Sequence, residues 1–202
     1  SSTLWTAFPS MTVLGQTFNT GLAYQMGESV GLEAKETGVN AWYAPSGNLH
    51  RSSFNGRNGE YFSEDPLLTG HMAGNIIKGA KSKGLITYMK HFVMAELGDN
   101  EPGVNEFNTE QALREIYLKP FEIAVKDYSA CGMMSSFNRI GAVWTGASYP
   151  LLTEILRGEW GFKGAVISDY SDGSEPLSTT SGIVAGNDIW LNVKEKNALP
   201  LS

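Results

Sequence analysis

The chain has 202 residues, with 15 basic and 21 acidic side chains and a formal net charge of −6; it lacks the basic surplus that a nucleic-acid binder usually carries. Its hydrophobic fraction of 42% against 18% charged is that of a core-forming domain, not a disordered tail. A single cysteine rules out an internal disulfide and a thiolate metal cage, and the apolar runs fall far short of the ~20 residues a membrane span needs.

The 23 glycines are scattered between apolar segments, which suits tight turns between strands and helices. Asn19 is placed to cap a helix whose apolar positions Leu22, Met26, Val30 and Ala34 recur at helical spacing until Gly38. Ala41–Ala44 reads as a strand ended by Pro45. Asp65-Pro66 is a helix start, a capping carboxylate before a proline at the first helical position. Leu68, Met72, Ile76 and Ala80 form its stripe, and Gly84 ends it. Leu85–Met89 is the next strand. Thr109 opens a helix through Leu113, Ile116 and Leu118 that Pro120 kinks. Cys131–Ser135 is a strand, Pro150–Leu156 a short helix, Ala165–Ser168 a fully apolar strand and Ile189–Leu191 one more.

Apolar, non-alternating strands in alternation with helices predict a parallel sheet covered on both faces. An open doubly wound sheet and a (β/α)8 barrel both satisfy this, and both bind ligands at the carboxyl ends of their strands. The residues there are Ser46-Gly47-Asn48, Lys90-His91-Phe92, Ser136-Phe137-Asn138 and Asp169-Tyr170.

Several chemistries fail on spacing. Gly74 to Lys81 approaches a phosphate loop, but Ala80 stands where its lysine belongs. No dinucleotide glycine fingerprint follows a strand, and no serine-nucleophile elbow occurs. His50, His71 and His91 lack the spacing of a metal pair, so neither metal nor cofactor is expected. Taken singly, Lys90, His91, Arg57 and Asp169 have ordinary readings as surface cation, core-capping imidazole, loop cation and helix cap. Together they place cations from two loops and a carboxylate from a third on one rim, which suits a hydroxyl-rich ligand held by charge-assisted hydrogen bonds.

The stretch Gly56-Arg57-Asn58-Gly59-Glu60-Tyr61-Phe62-Ser63-Glu64-Asp65-Pro66 resembles the signature of glycoside hydrolase family 3, which holds β-glucosidases and β-xylosidases. The likeness continues, in order, through Ala44-Pro45 to His50-Arg51, Lys90-His91-Phe92 and Leu113–Glu122. It runs on through Met134–Asn138, Leu152–Arg157, Trp160-Gly161-Phe162 and Val166–Tyr170. The resemblance implies a (β/α)8 barrel domain over residues 1–202, incomplete because the first strand region and a second α/β sandwich domain are absent. It implies a retaining β-glycosidase, most simply a β-D-glucosidase, with a saccharide or glycoside substrate and no nucleic-acid or membrane partner. Asp169 matches the nucleophile. Arg57, Lys90 and His91 match groups that hold sugar hydroxyls, Met134 and Phe137 match the apolar wall of that subsite, and Tyr170 stands beside the nucleophile.

Three features depart from the pattern: Gly59 in place of a bulky residue, Phe137 in place of a tyrosine, and a short span between Asp169 and Gly186. A retaining enzyme needs an ionised carboxylate and a protonated one about 5–5.5 Å apart. The nearby cations are expected to lower the pKa of Asp169. The resemblance puts the acid/base glutamate on a second α/β domain or partner chain, with Glu96, Glu101, Glu106 and Glu175 as lesser candidates. Two other readings remain open. One is a sugar-binding or structural piece without turnover; the other is an unrelated barrel enzyme using Lys90 as a Schiff base.

Overall fold

The computed structural model describes residues 5–98, 101–170 and 178–191. Two helices lead into the sheet, α1 (Met11–Gly15) and α2 (Thr20–Thr37). Asn19 caps α2 by accepting from the Leu22 backbone N–H, and Gly38 closes it in the left-handed region at φ 75°. The buried face of α2 is Ala23, Met26, Gly27, Gly31 and Ala34; Leu22 of the expected stripe faces solvent. Its partner α3 (Pro66–Ser82) explains the rotation. The two helices meet so closely at Gly27 and Gly79 that a Cβ on Gly27 would overlap the Ile76 carbonyl and one on Gly79 the Tyr24 carbonyl. Close approach selects the small-residue face over the leucine face. Asp65 caps α3 as expected, its Oδ1 accepting from Leu68 N–H at 2.7 Å.

The strands are short and parallel. β1 (Ala41–Trp42) pairs with β2 (Ile86–Thr87), and Ser46 bridges Lys90 farther along the same two segments. The expected strand at Leu85–Met89 is therefore split: β2 ends at Thr87 and β3 (Met89–Phe92) carries the segment on to Phe92. β3 pairs with β5 (Gly132–Ser135), β5 with β8 (Ala165–Ile167), and Ile167 bridges Ile189. The last expected strand is reduced to that bridge. Staves 41–46, 86–92, 132–135, 165–167 and 189 thus lie side by side in chain order. A doubly wound sheet reverses its order at a switch point; this run never does, which is the arrangement of a barrel wall.

Helices connect the staves: α3, then α4 (Glu110–Ala112) leading through a π-helical stretch Leu113–Tyr117 into α5 (Lys119–Tyr128), then a π-helical segment Pro150–Glu159, then α6 (Thr179–Ala185). Pro120 lies in the first turn of α5, where its missing N–H removes no helical bond. Two features had no sequence signal, β4 (Asn105–Glu106) and the hairpin of β6 (Arg139–Ile140) and β7 (Val143–Trp144), which join in a small side sheet. Met89, Met133 and Val166, paired across three staves, pack with Phe121 and Leu152 into the main core. No helix of the described residues is long and apolar enough to cross a membrane.

Candidate active site

Arg57, Lys90, His91 and Asp169 come together at one end of the staves. Lys90 and His91 lie in β3, Asp169 follows β8 by two residues, and Arg57 sits in the loop between β1 and α3. The Arg57 guanidinium is the hub. Its Nε donates to Glu60 Oε1 at 3.1 Å, Nη1 to Glu101 Oε1 at 2.7 Å, and Nη2 to His91 Nε2 at 2.9 Å. Lys90 Nζ meets Glu60 Oε2 at 3.0 Å.

His91 is 2% exposed. Burial, then the charges of Arg57 and Lys90, hold its pKa well below the imidazole norm, so the ring is neutral. Arginine only donates, so Nε2 must accept and the proton belongs on Nδ1, which faces Asn48 Oδ1 at 3.3 Å. The same Asn48 oxygen accepts from the His91 backbone N–H at 2.7 Å, and its Nδ2 donates to the His91 carbonyl at 3.0 Å.

Asp169 lies 3.5 Å from His91, Oδ2 to Nε2. That nitrogen is already an acceptor, so it has no proton to offer. Oδ1 accepts from the Tyr170 N–H at 2.7 Å, and Oδ2 is buried with no partner. The expectation of a lowered pKa is overturned here. Burial dominates and raises Asp169 to about 6, while the Tyr170 N–H, Arg57 and Lys90 pull the other way without prevailing. Glu60 goes opposite: burial disfavours its charge, but Arg57 and Lys90 together hold its pKa below the usual range. Lys90 Nζ is committed to Glu60 and is not presented to a carbonyl, which argues against the Schiff-base reading.

Met134 is buried in register with Ile167, outside the main core cluster. Phe137 is half-buried beyond β5, and Tyr170 is 45% exposed, touching Asp169 through its backbone N–H. Beside Glu60 and Lys90 lies a cavity of about 270 Å³, lined also by Ser46, Trp42, Met11 and Gly59. A Cβ on Gly59 would meet nothing within 4 Å. A groove of about 560 Å³, between Leu113, Ile140, Val143, Pro150 and Ile155, shares none of these residues.

Of the lesser acid/base candidates, Glu101 is in the site but bonded to Arg57. Glu96 is buried behind it, Glu106 lies on β4, and Glu175 falls outside the described residues. Sequence reasoning did not find the Glu60–Lys90 pair or Asn55, whose Oδ1 accepts from the Arg57 N–H at 3.0 Å. Both depend on loop folding that leaves no periodic trace. Among the described residues no group of three or more His, Cys, Asp or Glu side chains is placed to hold a metal ion.

Parallel staves in barrel order, with a carboxylate and a cation cluster at their carboxyl ends, define a (β/α)-barrel with a polar, charged rim. The chain belongs to glycosyl hydrolase family 3: residues 1–199 match the model of its N-terminal domain. It is 42% identical over 184 residues to beta-glucosidase A of Butyrivibrio fibrisolvens, covering 91% of this chain and 22% of that protein. It is also 42% identical over 182 residues to a beta-glucosidase of Rhizobium radiobacter, at 90% and 22% coverage. Beta-glucosidase 3B of Thermotoga neapolitana, solved with glucose, superposes with a TM-score of 0.87 at 40% identity over 92% of this chain and 26% of that one. The chain thus spans about a fifth of the length of the curated relatives it matches.

Proposed function

We propose that the protein carrying this chain is a retaining β-glucosidase and that Asp169 is its nucleophile. The observation that carries the reading is Asp169 Oδ2, buried and unpartnered beside the Arg57–His91 contact. A carboxylate oxygen kept free of donors is available to form a bond. The relatives named beta-glucosidase, and neighbours solved with glucose, support the substrate class.

In this mechanism Oδ2 attacks the anomeric carbon of a bound β-glucoside. The C1–O bond to the aglycone breaks as the C1–Oδ2 bond forms, and a carboxylic acid protonates the departing oxygen. Water then attacks C1, gives its proton to the same carboxylate, and frees Asp169. Lys90, His91 and Arg57 line the subsite and bond sugar hydroxyls, with Met134, Phe137 and Tyr170 as its apolar side. The family resemblance assigns the acid/base glutamate to a second α/β domain or partner chain; within the described residues Glu60 and Glu101 are held by Arg57, which agrees with that assignment. The same observation favours a half-site rather than a full catalyst for the 202 residues alone.

The test uses the full-length protein. Asp169→Asn should lower kcat on an aryl β-glucoside by roughly 10⁴-fold, and a 2-fluoro glucoside should label Asp169 in the unsubstituted enzyme. Undiminished turnover in the variant would end the assignment.

A further inference from the structure

Glu96 is 4% exposed, at the joint between the two segments that carry the cations of the site. Its Oε1 accepts from the Leu49 N–H at 3.1 Å. Leu49 follows Asn48, the residue that clasps His91 by ring and backbone. Around Glu96 the chain is stitched to the Arg57 loop. The Tyr61 hydroxyl donates to the Ala95 carbonyl at 2.5 Å, and Asn55 Nδ2 donates to the Glu96 carbonyl at 2.8 Å. Asn55 Oδ1 accepts from both Gly98 N–H and Arg57 N–H at 3.0 Å. These bonds set Arg57 against His91.

The Glu96 side chain is badly placed to carry charge. Oε2 is buried with no partner, and so is Oε1 of neighbouring Glu106 on β4. The charged and titratable groups that act on it are Glu106, which repels; Arg51, the weakest influence, whose guanidinium lies over the Tyr117 ring; and the buried Tyr61 phenol. The Leu49 N–H and the Asn48 side chain favour the charged form, but they do not compensate an anion buried beside a second carboxyl.

We propose that Glu96 is a positioning residue of the sugar subsite: as a neutral acid it locks the Arg57 loop to the Lys90–His91 strand, and its ionisation loosens that lock. The proposal rests on the glycosidase reading for its kinetic consequence but not for its effect on the fold. Burial first, then Glu106, raises its pKa from 4.5 to about 7, so the switch falls in a working range. The sign follows from linkage. A carboxyl with a raised folded-state pKa contributes stability that is full below 4.5 and is lost as pH climbs through about 7.

The experiment compares full-length wild type, Glu96→Gln and Glu96→Ala between pH 5.5 and 9, reading KM and kcat on an aryl β-glucoside and the melting temperature. Wild-type KM should rise about three- to tenfold above pH 7 with a smaller change in kcat. Glu96→Gln, which keeps the acceptor without the charge, should abolish that rise. It should also melt a few degrees above wild type at pH 8.5 but not at pH 5.5. Glu96→Ala should raise KM at every pH; should it fail to fold, Glu96→Gln alone decides. If Glu96→Gln reproduces both wild-type profiles, the proposal is overturned. If no glucoside is hydrolysed by wild type, the catalytic reading fails, and the melting profiles still decide Glu96 by themselves.

Discussion

Asp169 is pulled two ways. Attack at carbon requires the charged form, while burial favours the neutral one and sets its pKa at about 6. Under the proposed role, kcat/KM falls tenfold per pH unit below about pH 6, and the limb is read with a substrate whose leaving group needs no acid. Lys90 and Arg57 both lower that pKa, so Lys90→Met should shift the limb toward higher pH; a limb that stays or moves down would contradict the electrostatic account. The stability linkage has the same origin: the folded state prefers Asp169 protonated, so its contribution is full below 3.8 and lost as pH rises through about 6. Asp169→Asn should therefore be inactive yet more stable by roughly 2 kcal/mol at pH 7.5, measured by urea unfolding. Sequence position pointed to the four groups that the structure brings together, because each lies at or just past the carboxyl end of a stave or in the loop between two. It did not disclose the sign of the Asp169 shift. Charge partners can be guessed from residue types, but the burial that outweighs them belongs to the packed structure.

The elements were legible where their ends carry chemistry. Asn19, Gly38 and Asp65-Pro66 mark helix boundaries by side-chain acceptors, a left-handed closure and a fixed φ; α2 begins and ends at its marks and α3 begins at its own, while α3 stops at Ser82, capped by Lys83, short of the expected Gly84. Asp65→Ala should lower stability by about 1 kcal/mol, checked by thermal melting. The face of α2 was misjudged because apolar spacing weighs leucine above glycine, whereas contact with α3 requires the reverse. Gly27→Val should cost well over 2 kcal/mol, since neither the Ile76 carbonyl nor the backbone of Ala80 can retreat. Leu22→Ser on the same helix, at an exposed position, should change stability by less than about 0.5 kcal/mol. The side sheet of β4, β6 and β7 escaped detection because two-residue strands are too short to show alternation.

At the scale of the molecule, the barrel wall and the proposed chemistry divide in the same place. The described staves bring one carboxylate with a free oxygen to the rim and tie Glu60 and Glu101 to Arg57. Under the proposed mechanism, a site so built expels a good leaving group and lacks, among the described residues, a free acid to protonate a poor one. Leaving-group dependence therefore reads out which half of the mechanism this chain holds. Once the 202-residue chain is seen to melt cooperatively, it should convert dinitrophenyl β-glucoside slowly. It should be accelerated by azide, which attacks the glycosyl-aspartate without a general base, and should leave methyl β-glucoside untouched. Restoring the full-length protein should recover the methyl glucoside and abolish the azide effect. Equal turnover of both glycosides by the short chain would mean that Glu101 or Glu60 leaves Arg57 and serves as the acid, and the second domain would lose that assignment.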